Sequence, residues 1–316
     1  MSELERMVTG FRLSQALAVA AELRLAEALA DGARSADDLA AEVGADADAL
    51  YRLLRALARE EVFEEREDRM FALTELGRGL QGEAGMQARF ICRAPQWNAW
   101  GELEQSIRTG EPAFEKIFGE SPWSWRASRP DESARFDEWM TVLTASMNET
   151  IVSAYDFGRF GHVVDVAGGR GALLDAVLDA NPRTRGTLFD QEHVVAGAPP
   201  RERMAVVGGS FFDAVPRGGD AYVLKSIVHD WPDEEATAIL RTVAAALEGD
   251  ARVILLERDI DDDATAWLDL QMLVMFGARE RTADEYAALI AAAGLESLWA
   301  TPVGAGFAAF EGRLPR

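Results

Sequence analysis

The feature that most constrains this fold is a regular alternation of apolar, strand-like runs with helical segments after Gly161. Apolar runs bounded by turn residues are typical of buried strands, and apolar residues spaced by three and four are typical of helices. Strands are predicted at 162–167, 184–190, 203–208, 220–226 and 251–258, and helices at 171–180, 233–248, 264–277 and 282–293. Two closing strands are predicted, from Gly294 to Trp299 and from Phe307 to Glu311. This order predicts an α/β domain built on a parallel sheet.

The beginning of the chain has a different pattern. Residues 1 to about 30 predict an apolar-rich helix pair, and residues 35–74 predict a helix, a turn, a second helix and two short strands. That outline is a winged helix, a common DNA-binding fold. Residues 31–80, however, carry 13 acidic and 7 basic side chains, whereas DNA binding needs a basic surface. We therefore expect a dimerisation module, with a dimeric DNA-binding regulator as the disfavoured alternative.

Between these two parts lies a segment rich in tryptophan and phenylalanine. Residues 86–150 are interrupted by prolines and predict short helices joined by turns. Such an aromatic layer is typical of interface core, or of a ligand pocket at a domain junction. The sequence thus predicts a dimerisation domain at 1–95, a helical linker and substrate-pocket segment at 96–150, and a catalytic domain at 151–316.

Composition excludes several classes of function. The formal net charge is −22, which argues against nucleic acid or an anionic membrane as the main partner. A single cysteine, Cys92, excludes a disulfide framework and a cysteine-rich metal site. The charged N-terminus lacks the apolar run of a signal peptide, and we expect a cytoplasmic protein.

A glycine-rich turn follows the first predicted strand of the α/β part, in Asp165-Val-Ala-Gly-Gly-Arg-Gly171. Glycines let the backbone turn sharply beside a ligand, and the helix that follows offers unpaired amides. The spacing matches neither the nicotinamide fingerprint nor a phosphate-binding loop. Asp190 ends the next strand, where a carboxylate can accept both hydroxyls of a ribose. The pattern predicts a nucleoside cofactor.

His229 follows the predicted strand 220–226. Ligands bind beyond the carboxyl ends of parallel strands, so this position places a group that titrates near neutral pH where chemistry occurs. The alternative is a histidine that only caps a loop. His162 begins a strand and His193 follows the ribose acid, so neither has a comparable position.

Five motifs together resemble the S-adenosylmethionine-dependent small-molecule O-methyltransferases, a family that includes plant caffeate-type and bacterial antibiotic-tailoring enzymes. They occur in the family's order, and the resemblance covers essentially the whole chain. The motifs are Asp165-Val-Ala-Gly-Gly-Arg-Gly171, Leu188-Phe-Asp190, Gly209-Ser-Phe-Phe-Asp213, Leu224-Lys-Ser-Ile-Val-His-Asp-Trp231 and Gly277-Ala-Arg-Glu-Arg-Thr282. The resemblance implies a Rossmann-like sheet, mostly parallel with an antiparallel closing strand, and a homodimer formed through the N-terminal domain.

The resemblance also implies that the cofactor is S-adenosylmethionine and that S-adenosylhomocysteine is its product. It further implies which residues bind the cofactor. It implies that Asp165, Gly169 and Gly171 surround the methionine portion. It also implies that Asp190 holds the ribose and that Phe211 flanks the adenine. The expected cofactor residues are Asp165, Gly169, Gly171, Asp190, Gln191, Ser210, Phe211, Lys225 and Trp231. Two positions depart from the usual pattern, because Ala167 replaces a common loop glycine and Ser210 replaces an acid that often recognises adenine. Both departures bear on cofactor affinity.

For the chemistry, the resemblance implies methyl transfer to a hydroxyl of a small aromatic secondary metabolite. A phenol must lose its proton to become a good nucleophile, and His229 is the expected base. Glu257 and Glu280 are the expected flanking acids, with Asp230 adjoining the base in sequence. The expected substrate-pocket residues are Trp139, Met140, Leu143, Met147, Met272, Met275 and Phe276.

Two other chemistries stay open at the sequence level. Relatives of this fold use the same cofactor to hydroxylate, decarboxylate or rearrange their substrates. Metal-dependent catechol methylation is a further alternative, although the sequence contains no His, Cys or carboxylate cluster with metal-ligand spacing, and we expect no metal.

Overall fold

The structure is a computed structural model that describes residues 2–262 and 265–316. The chain divides into two compact units, Met1–Trp97 and Asn98–Arg316. The first residue of the predicted helical segment 1–30 and the first residue of the predicted helix 264–277 lie outside the described residues. From residue 98 on, the predicted linker and pocket segment belongs to the same unit as the sheet.

The first unit is a helical domain with a small antiparallel sheet, as predicted. Its helices are α1 Glu3–Glu22, α2 Leu25–Ala28, α3 Ala36–Val43, α4 Ala47–Ala58, α5 Glu75–Arg78 and α6 Glu83–Ile91, and its strands are β1 Arg34–Ser35, β2 Phe63–Glu65 and β3 Met70–Leu73. The sheet order is β1-β3-β2. Ser35 accepts a hydrogen bond from the Asp38 amide to start α3, and Gly44 ends that helix with a left-handed φ of 69°.

The second unit begins with short helices and one long one, then continues as an α/β domain. The helices are α7 Ala94–Gly101, which spans the division, α8 Leu103–Thr109, α9 Ala113–Phe118, α10 Pro122–Ala127, α11 Pro130–Ala154, α12 Ala172–Ala180, α13 Glu192–Val195, α14 Asp233–Ala244, α15 Ala266–Phe276 and α16 Ala283–Ala292. The strands are β4 His162–Val166, β5 Arg185–Asp190, β6 Met204–Gly208, β7 Ala221–Lys225, β8 Arg252–Arg258, β9 Glu296–Gly304 and β10 Phe307–Arg313.

These seven strands form one sheet in the order β6-β5-β4-β7-β8-β10-β9. The pairs β4–β5, β4–β7, β5–β6 and β7–β8 are parallel, while β10 is antiparallel to both β8 and β9. The predicted mostly parallel sheet with an antiparallel closing strand is therefore confirmed.

Both faces of the central strands β4, β5, β7 and β8 are buried, which explains their uninterrupted apolar runs in the sequence. Side chains alternate along each strand: Tyr222 and Leu224 of β7 pack into one core cluster, whereas Ala221 and Val223 pack into the other. The same alternation places Lys225 on the Val223 face. Because β4, β5, β7 and β8 are parallel, their carboxyl ends meet at one edge of the sheet.

Among the described residues, no helix combines the length and apolar character needed to cross a membrane.

Candidate active site

A cavity of about 400 Å³ lies at the carboxyl edge of the sheet. Its wall is contributed by α10 and α11 and by the turns that follow β4, β5, β6 and β7. All but Gly171 of the nine expected cofactor residues line this cavity, together with the expected catalytic residue Asp230. Pockets at this position are where α/β sheets bind their ligands.

The turn after β4 has a backbone that favours glycine at alternate positions. Ala167, Gly169 and Gly171 have φ values of 58°, 60° and 89°, in the left-handed region. Gly168 is required for a different reason, since a Cβ there would approach Asp165 Oδ2 to 2.4 Å. The turn thus exposes its backbone to the cavity, which is what close approach of a ligand needs.

Ala167 is the strained member of this turn, and its replacement by glycine is expected to stabilise the protein. An alanine in the left-handed region costs roughly 1–2 kcal/mol relative to glycine, which outweighs the roughly 0.4–1 kcal/mol lost through the added flexibility of glycine in the unfolded chain. We expect Ala167→Gly to raise the free energy of unfolding by about 0.5–1 kcal/mol, measured by urea denaturation. The matched control Ala176→Gly, inside α12, should lower it by about 1 kcal/mol. Equal destabilisation by both variants would contradict the strain assignment.

Asp190 ends β5 with both carboxylate oxygens anchored. Oδ2 accepts a hydrogen bond from the Gly169 amide at 2.8 Å, and Oδ1 accepts one from the Gln191 amide at 2.7 Å. Burial raises the pKa of Asp190, and these two amides oppose the rise. A carboxylate has about four lone-pair sites, so each oxygen keeps one for an external donor. Two adjacent hydroxyls fit this arrangement.

Asp165 and Lys225 face the cavity from neighbouring strands and the same side of the sheet. Burial raises the pKa of Asp165 to about 7, although Lys225 opposes the rise. Burial lowers the pKa of Lys225 to about 8, and Asp165 and Glu257 oppose that change. Asp165 Oδ2 is buried and has no hydrogen-bond partner in the described chain. This orphaned acceptor suits a ligand ammonium group.

Aromatic rings form the wall near the turn after β6. Phe211 and Trp231 meet edge to face at 5.9 Å, and Phe212 packs on Trp231 in the same way at 4.9 Å. The Ser210 hydroxyl accepts a hydrogen bond from the Phe212 amide at 3.2 Å and still has its own hydrogen to donate. The wall offers stacking surfaces and one adaptable polar group.

His229 lies in the short turn after β7 and is 8% exposed. Its Nδ1 is 2.6 Å from Glu280 Oε1, and its Nε2 is 3.6 Å from Asp230 Oδ1. Burial opposes charge on the imidazole, but Asp230, Glu257 and Glu280 outweigh it and raise the pKa of His229 to about 10. Asp230 lines the cavity, whereas His229 is not among the described residues that do.

The turn that carries His229 is held from both sides by buried charges. Glu257 Oε1 accepts hydrogen bonds from the Ile227 and Val228 amides, each at 2.9 Å. Arg281 is fully buried and donates to the Val228 and Trp231 carbonyls at 2.9 and 2.8 Å. Of the two expected acids, Glu280 is therefore the one in contact with the imidazole, and Glu257 anchors the backbone. Arg281 belongs to the quoted motifs but was given no role by the sequence.

The expected substrate pocket needs a correction of register on α11. The cavity is lined by Ser133, Phe136, Asp137, Met140, Thr141, Thr144 and Asn148 of that helix. Of the expected residues only Met140 lines it, because the lining face is one residue further along and one residue rotates a helix by about 100°. Trp139 is buried away from the wall, and Leu143 does not line it either. Met147 instead packs on the sheet core.

The three expected pocket residues on α15 also lie behind the wall. Met275 and Phe276 belong to a cluster with Phe114 and Val274, and Met272 is buried. Phe276 stacks on Trp123 at 5.1 Å, and Trp123 itself lines the cavity. Trp123 of α10 therefore forms part of the aromatic wall and is supported from behind by Phe276 of α15.

Several charged residues of the cavity wall carried no sequence signal. Arg126 of α10 lines the cavity and is 8% exposed. Asp137 and Arg170 line it as an ion pair at 3.3 Å. Single charged residues in helices and loops are usually solvated. Only the packing of α10 and α11 reveals that these three residues line the cavity instead.

The other two histidines have distinct places. His162 is held between the Gly218 carbonyl at 3.0 Å and the Thr187 hydroxyl at 2.8 Å, away from the cavity wall. His193 lines the cavity beside Asp190, a placement the sequence did not suggest.

Comparison with known proteins identifies the family of the chain. The chain matches the O-methyltransferase domain family at residues 100–296 and the O-methyltransferase dimerisation domain at residues 5–81. It is 37% identical to the phenazine O-methyltransferase PhzM of Lysobacter antibioticus, covering 99% of this chain and 96% of that protein.

Two solved structures extend the comparison. The mitomycin 7-O-methyltransferase MmcR superposes with a TM-score of 0.94 at 34% identity, covering 99% of this chain and 97% of the other. The O-methyltransferase NcsB1 from neocarzinostatin biosynthesis, solved with S-adenosylmethionine and 2-hydroxy-5-methyl naphthoic acid, superposes with a TM-score of 0.84 at 36% identity, covering 96% of each chain.

The fold and the cavity define an α/β transferase with a nucleoside-cofactor site at the carboxyl edge of its sheet. The chain belongs to the O-methyltransferase family, with that family's dimerisation domain before its methyltransferase domain. Its cofactor is S-adenosylmethionine. The orphaned Asp165 oxygen fits the ammonium group of that molecule, and the two free lone pairs of Asp190 fit its ribose hydroxyls. The turn at 167–171 exposes its backbone, which allows the ligand to approach closely.

Proposed function

We propose that this protein transfers the methyl group of S-adenosylmethionine to a hydroxyl of a small phenolic or polyketide-like metabolite, with His229 as general base. The observation that carries the proposal is the buried His229–Glu280 pair, 2.6 Å apart, next to the cavity residue Asp230. Relatives named for phenazine, mitomycin and naphthoate substrates support an aromatic acceptor.

The tautomer of His229 follows from its partner. Glu280 accepts from Nδ1, so in the neutral ring Nδ1 carries the hydrogen and Nε2 keeps a lone pair. Nε2 is the atom on the Asp230 side, and Asp230 reaches the cavity. An acceptor hydroxyl that approaches between Asp230 and Nε2 can therefore pass its proton to the imidazole.

The three carboxylates stabilise the imidazolium that this transfer produces. They also set the pH dependence, because a base is active only in its neutral form. Since they raise the pKa of His229 to about 10, the neutral fraction increases as the pH rises toward that value. The rate of methyl transfer should rise with pH over the same range.

The cofactor, when bound, supplies an electrophilic methyl group on a sulfonium. We assign Asp165, Gly169 and Gly171 to its methionine portion, Asp190 and Gln191 to its ribose, and Ser210 and Phe211 to its adenine. Lys225 and Trp231 are assigned to the wall around it. Trp123, Phe136 and Met140 then hold a flat acceptor by stacking and exclude water from the reacting atoms.

We also propose a homodimer formed through the first unit and no nucleic-acid partner. Leu4, Met7, Val8 and Phe11 of α1 are 53–70% exposed, a contiguous apolar surface of the kind that another protein surface covers. Sedimentation analysis should give the mass of two chains, and a gel-shift assay at physiological salt should give no specific DNA complex.

The activity is tested with labelled S-adenosylmethionine and a panel of hydroxylated aromatics, with products identified by mass spectrometry. We expect a methyl ether of at least one phenolic acceptor. Because some family members are named for N-methylation, the amino analogue of each phenol is the matched comparison. Methylation of the amines alone would overturn O-transfer, and a hydroxylated, decarboxylated or rearranged product would overturn methylation.

Glu280→Gln tests the base through pH dependence. Removing this carboxylate lowers the pKa of His229, so the ascending limb of log kcat/KM should move to lower pH by about one unit while its maximum falls. The pKa of the acceptor itself is the same for both proteins and cannot produce this shift. Asp284→Asn, which removes one exposed charge of α16, should leave the limb in place. An unshifted limb in Glu280→Gln would argue against His229.

A further inference from the structure

We propose that the acceptor carries a carboxylate, which binds the guanidinium of Arg126. This inference rests on the proposed methyl transfer and names the class of aromatic that the cavity selects: a hydroxylated aromatic acid. The observation is a buried arginine on the wall of the acceptor end of the cavity, with one guanidinium nitrogen, Nη1, that has no hydrogen-bond partner among the residues that the structure describes.

The surroundings of Arg126 are aromatic. Its guanidinium lies 4.0 Å over the Phe136 ring and 5.0 Å from the Trp123 ring. The side chain is 92% buried, and Nη1 has no hydrogen-bond partner within the described residues. Burying an unsatisfied charged donor is costly, whereas a pairing anion offsets much of that cost. The two rings hold the guanidinium plane in place without supplying an acceptor.

The nearest cavity carboxylates each have another cationic partner. Asp137 pairs with Arg170 at 3.3 Å, and Asp230 is next to His229 at 3.6 Å. Burial lowers the pKa of Arg126 to about 10, although Asp230, Asp137 and Glu132 oppose this change. The guanidinium therefore stays charged at neutral pH. None of these carboxylates accepts a hydrogen bond from Nη1, so a ligand anion can pair with that nitrogen.

The position of Arg126 indicates which ligand brings that anion. Trp123 and Phe136 form the part of the wall that we assign to the acceptor, and Asp230 is on the same cavity beside the proposed base. An aromatic acid stacked on these rings can place its carboxylate on the guanidinium fork and its hydroxyl toward Asp230 and His229. The planar fork of arginine matches a carboxylate with two parallel hydrogen bonds. The carboxylate of the cofactor is the competing source of the same chemistry.

Paired acceptors test the proposal: a hydroxynaphthoic acid and the naphthol that lacks its carboxylate, assayed with the full chain. For the unaltered protein we expect kcat/KM to be roughly 10- to 100-fold higher for the acid. Arg126→Met should abolish this preference by lowering kcat/KM for the acid alone, and Arg126→Lys should keep part of it. Arg135→Met, an exposed residue of α11, is the control and should keep it fully.

Calorimetry separates the outcomes. We expect S-adenosylhomocysteine to bind Arg126→Met as tightly as it binds the unaltered protein; a loss of its affinity without loss of the acid preference would assign Arg126 to the cofactor and overturn the proposal. Equal kcat/KM for acid and naphthol in the unaltered protein would overturn it as well. If no acceptor is methylated, the proposed function fails. The carboxylate site is then tested by the affinity of the acid for the complex of each protein with S-adenosylhomocysteine. Weaker binding of the acid by Arg126→Met than by the unaltered protein supports the carboxylate site, and equal binding overturns it.

Discussion

Replacing His229 with alanine is expected to lower kcat by roughly two to four decades, the range typical for loss of a general base. The acceptor hydroxyl would then have to ionise without a proton acceptor at Nε2. The affinity for S-adenosylmethionine should change little, because the described cavity wall does not include His229. Single-turnover rates with saturating cofactor, together with calorimetry of cofactor binding, measure the two quantities separately.

His229→Asn provides the control for packing. Its amide can donate to Glu280 in place of Nδ1, so the pair that holds the turn is retained while the base is lost. We expect this variant to be as slow as His229→Ala and closer to the original protein in thermal stability. A kcat within about tenfold of the original in both variants would mean that positioning of the two reactants in a dry cavity, not proton transfer, supplies most of the rate.

The strands of the parallel sheet could be predicted from the sequence because burial on both faces of the central strands leaves a clear apolar pattern. The runs ending at Lys225 and Glu257 are examples: each alternates between the two core clusters and places a charged residue at the carboxyl edge. Since parallel strands end at the same edge, the sequence alone predicts that the cofactor turn, Asp190 and His229 lie in one region.

The face of α11 that meets the cavity could not be predicted in the same way. Its sequence has apolar residues on more than one side, because Trp139 and Met147 serve core packing while Met140 serves the cavity. A helix that is buried on several sides carries no single apolar stripe, so its rotation is fixed only by its neighbours. The result was a pocket predicted one residue out of register.

The buried charged residues of the site were also difficult to predict from the sequence. Arg126, Asp137 and Arg281 are ordinary charged residues in helices and loops, where such residues are usually solvated. Their burial comes from contacts between segments far apart in the chain, as when Arg281 reaches the carbonyls of Val228 and Trp231. These groups nevertheless set the charge and shape of the site, which explains why cofactor class was easier to predict than acceptor class.

Replacing Asp190 with alanine is expected to weaken S-adenosylmethionine binding by roughly 10²- to 10³-fold. The variant removes the two charge-assisted hydrogen bonds that we propose for the ribose, each worth about 1.5–3 kcal/mol, with some compensation from water. It also leaves the Gly169 and Gln191 amides without their acceptor, which loosens the turn that faces the cofactor. Calorimetry with S-adenosylmethionine and with S-adenosylhomocysteine measures the loss.

Asp190→Asn separates the two contributions. The amide oxygen can still accept from Gly169 or Gln191, but its NH₂ group cannot accept from a ribose hydroxyl, so an intermediate affinity is expected. Asp213→Ala, which removes an exposed charge from the turn after β6, should bind the cofactor normally. If Asp190→Ala also bound normally, the ribose assignment would be wrong. A loss for Asp190→Ala that Asp190→Asn fully restores would instead assign Asp190 to support of the turn alone.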